Sequence, residues 1–180
     1  MEKNDIGYWY EQYADELFAY GIAFCIDREV VLDAIQDVFL HLYESQAQIQ
    51  DPNNVKFYLF TSLKNRIISI LRKESQFQEL TEEYQFELFT DAQDLTFDSE
   101  EKVRYENLLN QLLSLLTSKQ REAIYLHYMQ NLSYEDVALI LNITPKSTRK
   151  LIYRAIQRMQ EGLPFYIILL LLLLSCKYSH

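Results

Sequence analysis

The sequence predicts an all-α protein: two small helical domains joined by an acidic linker, the second a helix-turn-helix domain, followed by an apolar C-terminal tail. Three observations predict it. The chain has 180 residues, 49% of them hydrophobic, which suffices for an ordinary core, yet only 3 Gly and 3 Pro, far too few to turn a sheet protein of this length. Its apolar residues recur at helical rather than alternating spacing. Short polar residues stand at the starts of these runs, where their side chains can cap exposed backbone N–H groups.

The first domain is expected over 8–74. From Tyr8 to Phe24 the residues Trp9, Tyr13, Leu17, Tyr20 and Phe24 form one stripe, and Asp27 then stands where an N-cap opens a second helix. That helix, Arg28 to Glu44, has Val31, Ile35, Val38, Phe39 and Leu42 on its core side, while Asp33, Gln36, Asp37 and Tyr43 fall largely off the stripe. Residues 45–54 contain Asp51-Pro52 and Asn53-Asn54 and read as a loop. A third helix, Val55 to Glu74, interleaves Phe57, Tyr58, Phe60, Leu63, Ile67, Ile70 and Leu71 with Lys56, Lys64, Asn65, Arg66, Arg72 and Lys73. Aromatics beside cations suit unstacked bases and phosphates, and a packed stripe with a solvated basic face would look the same. Residues 75–105 lack a sustained period and are expected to be the linker.

The second domain is expected over 106–161. It opens on Leu108, Leu109, Leu112, Leu113, Leu115 and Leu116, after which Thr117 with Gln120 three residues on makes a capping box for a helix from Ser118 to Met129. Ser133 with Asp136 makes a second cap, and Thr144-Pro145 places an N-cap before a proline whose missing N–H costs the helix nothing. The helices Ser133–Leu141 and Pro145–Gln160, joined by Asn142-Ile143-Thr144, have the size and tight turn of a helix-turn-helix. Lys146, Arg149, Lys150, Tyr153 and Arg154 share one face of the last helix, whereas Thr148, Ile152, Ala155, Ile156 and Met159 point toward a core. Long cations on such a face neutralise phosphates, and an Arg that reaches a base edge can pair with both guanine acceptors. An ordinary exposed basic helix at the end of a bundle is the plainer reading; cap, turn, amphipathicity and cation placement together favour DNA.

Function classes narrow further on composition. Cys25 and Cys176 cannot make a zinc cluster or a disulfide framework, and with no secretory pattern ahead of the first helix a cytoplasmic location is expected. His41, His127 and His180 lack partners in a motif and no Gly-rich phosphate loop is present, so neither an enzyme nor a cofactor is expected. The net charge of -9 argues against nucleic acid only if it is averaged. Residues 1–44 carry -8, 45–80 carry +2, 81–107 carry -7 and 108–180 carry +4. Acidic and basic blocks alternate, as they would if separate segments met separate partners.

These residues together resemble a known family, the two-domain bacterial RNA polymerase sigma factors of the extracytoplasmic-function (ECF) type, over residues 8–160. The string Asp33-Ala34-Ile35-Gln36-Asp37-Val38-Phe39-Leu40 is similar to the helix that grips the clamp of the polymerase largest subunit; Asp33, Gln36, Asp37, Phe39 and Leu40 would then bind core RNA polymerase. Leu59 to Lys73 is similar to the helix that faces the minus-ten promoter element, with Lys56, Lys64, Asn65, Arg66, Arg72 and Lys73 toward DNA and the loop 45–54 holding a flipped base. Leu116-Thr117-Ser118-Lys119-Gln120-Arg121-Glu122, Leu132-Ser133-Tyr134-Glu135-Asp136-Val137-Ala138 and Tyr153-Arg154-Ala155 resemble the minus-thirty-five domain, with Lys146, Arg149, Lys150, Tyr153 and Arg154 as its DNA face. Thr148 stands where the family usually has Val; its methyl can pack if its hydroxyl bonds back to a carbonyl. The resemblance implies a non-catalytic specificity subunit whose partners are core polymerase, promoter DNA and, as a regulator, an anti-sigma factor.

Nothing in the family pattern accounts for the tail at 162–180, where Phe165-Tyr166-Ile167-Ile168 runs into six leucines. Its uncharged run Gly162 to Cys176 would reach about 22 Å as a helix, short of a hydrocarbon core of about 30 Å. Weak membrane contact, packing against the protein itself and a regulatory partner site are the expectations for it. Two other functions stay open at this point. A stand-alone helix-turn-helix regulator explains 117–160 but leaves the first 74 residues idle, and a membrane-associated helical adaptor takes the tail as the main feature.

Overall fold

The computed structural model describes residues 6–44, 54–74, 84–88 and 99–162. The loop 45–53, most of the expected linker and the tail 163–180 lie outside the described residues. Among the described residues the regular structure is entirely helical: α1 (Ile6–Ile22), α2 (Arg28–Glu44), α3 (Asn54–Glu74), α4 (Ser99–Ser114), α5 (Ser118–Ile124) with a π-helical turn at Tyr125–Met129, α6 (Tyr134–Ile140) and α7 (Pro145–Gly162). The chain divides into two compact units, Met1–Glu87 and Leu88–His180.

In the first unit α1, α2 and α3 pack pairwise around one core. The stripes that the periodicity predicts are buried: Trp9, Leu17, Tyr20 and Phe24 before and after the end of α1, and Val31, Ile35, Val38, Phe39 and Leu42 on α2. The helices meet most closely at Gly21, where an added Cβ would lie 2.5 Å from Val31 Cγ1 and 3.2 Å from Ile67 Cδ1. Asp27 caps α2, its Oδ1 accepting from the Glu29 N–H at 2.9 Å and, more weakly, from the Val30 N–H at 3.4 Å. Replacing Asp27 with alanine should therefore cost this unit about 1 kcal/mol. Urea unfolding followed through Trp9, the single tryptophan of the chain, checks this as a lower midpoint with an unchanged slope.

The linker expected over 75–105 is shorter than the sequence suggests, because two parts of it are structured. Residues Tyr84–Glu87 lie as an extended strap on the first unit. Phe86 is fully buried there, its ring 4.9 Å from that of Phe24 and 5.8 Å from that of Tyr20, and the Glu87 N–H donates to the Ala23 carbonyl at 2.7 Å. At the other end α4 begins at Ser99, seven residues ahead of the expected domain start at 106. A short extended strap has no helical period to betray it, and its anchors are distant in sequence.

In the second unit the three predicted caps are present. The Gln120 N–H donates to Thr117 Oγ1 at 3.3 Å while the Thr117 N–H donates to Gln120 Oε1 at 3.1 Å, closing the capping box on α5. Ser133 and Asp136 close the same box on α6, and Thr144 Oγ1 accepts from the Ser147 N–H at 3.2 Å at the start of α7. The Arg121 guanidinium donates to the carbonyls of Leu113 and Leu116 at 3.1 and 3.0 Å, tying α5 to the turn that follows α4. The helix expected from Ser118 to Met129 changes to a π turn after Ile124, where the Gln130 N–H reaches the Tyr125 carbonyl at 3.1 Å.

Candidate nucleic-acid interface

The hairpin of α6 and α7 is set by its turn. Asn142 takes a left-handed conformation (φ 51°), which asparagine tolerates better than most residues, and the Ile143 N–H bonds the Ala138 carbonyl at 2.9 Å. Thr148 is fully buried, and its hydroxyl donates to the Thr144 carbonyl at 3.2 Å, so the polar atom is satisfied and the methyl packs. With Ile152 and Ala155 it anchors α7 in the core. Lys146, Arg149, Lys150, Tyr153 and Arg154 all stand exposed on the remaining surface, Tyr153 at 61%.

This face is partly organised. Arg149 Nη2 lies 3.0 Å from Glu135 Oε1, and its guanidinium sits 5.4 Å from the centre of the Tyr134 ring. Tyr134 in turn stacks on His127 at 4.2 Å, and His127 Nδ1 is 2.8 Å from the Leu132 carbonyl oxygen. Burial, with a smaller contribution from Tyr134, raises the Tyr128 hydroxyl above its ordinary pKa beside this stack. Sequence reading missed Glu135 and Tyr134 as holders of Arg149, since the pairing joins two helices. The Tyr153 hydroxyl accepts from Gln157 Nε2 at 3.1 Å, which orients the ring on the outer face.

In the first unit the structure separates residues that sequence reading grouped. On α2, Asp33 and Gln36 are exposed and Leu40 is 55% exposed. Phe39, also expected at the polymerase contact, is 6% exposed and edges against Tyr10 at 5.1 Å, so it packs in the core beneath the helix. Asp37 does not stand free: Arg66 Nε donates to its Oδ2 at 2.8 Å, joining the residue expected to meet polymerase to one expected to meet DNA.

Besides Arg66, two more of the cations assigned to the minus-ten face are engaged within the unit. Lys64 is only 6% exposed; its Nζ donates to the Tyr84 hydroxyl at 3.2 Å and lies 4.5 Å from that ring and 6.0 Å from Phe24. The reason is helical geometry: Lys64 follows Phe60 by four positions and precedes Ile67 by three, which puts it on the apolar face of α3. The structure places it as a core cation against aromatic faces. Lys56 pairs with Glu16 at 2.8 Å. Asn65, Arg72 and Lys73 are exposed. An open cavity of about 740 Å³ between α2 and α3 is lined by Leu40, His41, Tyr58, Asn65 and Arg66 among others.

Two small helical units, one with an acidic and apolar outer edge and one with a helix-turn-helix whose second helix is basic outside, suit a DNA-binding protein. Comparison with known proteins makes this specific. The Sigma-70 region 2 model matches residues 9–77 and the Sigma-70, region 4 model matches 106–159. The ECF RNA polymerase sigma factor SigM of Bacillus subtilis (strain 168) is 24% identical over 151 residues, covering 84% of this chain and 90% of that protein. The RNA polymerase sigma factor YlaC of the same organism is 27% identical over 151 residues, covering 81% and 84%. Among solved structures, the sigma factor RpoE in its co-crystal with the anti-sigma factor NepR from Bartonella quintana aligns with a TM-score of 0.63 at 23% identity, covering 98% of this chain and 99% of that one. CnrH in complex with the cytosolic domain of CnrY aligns at 0.54 and 20% identity, covering 87% and 85%; at these identities both show the fold alone. The chain belongs to the sigma-70 family as a sigma factor of the ECF type, a factor that binds core RNA polymerase and directs it to promoters.

Proposed function

We propose how the two units divide this work, with the chain acting in the cytoplasm as a specificity subunit that performs no chemistry of its own. The exposed edge of α2, carried by Asp33, Gln36 and Leu40, meets core polymerase, with Asp37 beside it in its pair with Arg66. Asn65, Arg72 and Lys73 on α3 face the minus-ten element, and Arg66 joins them when it leaves Asp37. Lys146, Arg149, Lys150, Tyr153 and Arg154 on α7 face the minus-thirty-five element. The observation that carries this reading is the division of α7, where Thr148, Ile152 and Ala155 are buried and the polar residues between them all face outward.

No helix among the described residues is long and apolar enough to cross a membrane. An anti-sigma factor is the proposed regulator; the RpoE structure, solved with one, supports it. The test is co-elution of the full chain with core RNA polymerase on a sizing column. Asp33→Lys places a cation where an acidic contact is assigned and should weaken the complex about tenfold or more, since like charges brought together in an interface repel strongly. An undiminished complex would remove α2 from the polymerase interface.

A further inference from the structure

The cations of the second unit are not equally engaged. Arg121 is held by the carbonyls of Leu113 and Leu116, Arg149 by Glu135, and Arg158 by Gln120, to whose Oε1 it donates at 2.9 Å. Lys119, Lys150 and Arg154 have no such partner among the described residues. These three converge instead: with Ser147, Ile143 and Leu151 they line one open cavity of about 280 Å³, and no carboxylate contributes to its wall. Lys119 comes from the first turn of α5, whereas Lys150 and Arg154 are one helical turn apart on α7 and Ser147 lies in that helix's first turn.

Three like charges around one concavity make it attractive to an anion. The donors suit a tetrahedral oxyanion: two ammonium groups act as point charges and a guanidinium offers a planar fork able to take two oxygens. The cavity shares Lys150 and Arg154 with the outer face of α7. In a helix-turn-helix the elements flanking the recognition helix meet the strand backbone.

We propose that Lys119, Lys150 and Arg154 together form a clamp for one backbone phosphate of duplex promoter DNA, with Lys119 the member that lies outside the recognition helix. The clamp rests on the assignment of α7 to DNA. It reads no base; it fixes how deep and in what register α7 enters the groove.

The experiment uses the full chain assembled with core RNA polymerase, its affinity for a promoter duplex measured from low to high chloride. Lys119→Gln should lower the slope of log affinity against log salt by a measurable part of the roughly 0.9 that one neutralised phosphate contributes, since Lys150 and Arg154 still hold that phosphate. It should weaken binding to matched and mismatched upstream elements alike, and Lys119→Arg should restore the slope. Inorganic phosphate at matched ionic strength should compete no better than chloride; strong competition would make this a site for free anions and overturn the DNA assignment. An unchanged slope for Lys119→Gln, alongside weakened binding by Arg149→Ala, would overturn the clamp and leave the α7 reading intact. If neither substitution affected DNA binding, the α7 reading would fall and the clamp with it.

Discussion

Replacing Phe86 with alanine should destabilise the first unit by about 3–5 kcal/mol, the usual cost of removing a buried phenyl group that its surroundings cannot replace. The side chain is fully buried between Tyr20 and Phe24, and its edge-on contact with Phe24 adds to the loss of buried area. A single domain is stable by only about 5–15 kcal/mol, so this is a large share of the total. The expected result is a melting temperature lower by more than about 10 °C for the first unit. Fluorescence of Trp9 reports that unit specifically, since the chain has no other tryptophan. A melt that did not move would show that the strap rests on the unit without belonging to its core. The same loss is expected for a fragment that stops at residue 77, where the region 2 match ends.

The strap also explains Lys64. Tyr84 gives the buried ammonium a hydroxyl and a ring face beside the face of Phe24, and a buried cation that loses such partners is costly. A segment that composition assigns to a linker therefore completes the wall around a cation that periodicity places on the core side of α3.

What the sequence made legible was local. Asp27, Thr117, Ser133 and Thr144 cap their helices because a short side chain reaches N–H groups two or three residues on, an arrangement written entirely in neighbouring residues. The division of α7 was legible for the same reason, as was the back-bonded Thr148. What was not legible joins segments far apart: Asp37 to Arg66, Glu135 to Arg149, Gln120 to Arg158, and the strap to the turn after α1. Phe39 shows the other way to miss a residue. Its place on the core stripe of α2 was visible, and the family resemblance nonetheless drew it into the polymerase interface because the whole string matched. The burial of Lys64 was likewise legible in its position between Phe60 and Ile67, which its charge hid.

Arg149→Ala should reduce promoter binding by the polymerase complex by about 1–3 kcal/mol, or about 5- to 150-fold, and the loss should fall on one base pair of the upstream element. Its guanidinium is already held by Glu135 at 3.0 Å with the Tyr134 ring beneath, so less rotamer freedom is left to lose on binding than for the unpaired Lys146 or Lys150. An exposed ion pair of this kind contributes little to folding. Its consequence lies in selectivity: Glu135→Gln should leave stability nearly unchanged and lower the affinity ratio between matched and mismatched elements, while removing a negative charge near DNA raises binding to both. Measuring that ratio for the two single variants and the double variant separates the contributions. If Arg149 reads a base with the help of Glu135, the double variant should be no less selective than Arg149→Ala alone. A ratio left unchanged by Arg149→Ala would mean that this side chain meets phosphate or solvent, and that selection at the upstream element belongs to another residue of α7.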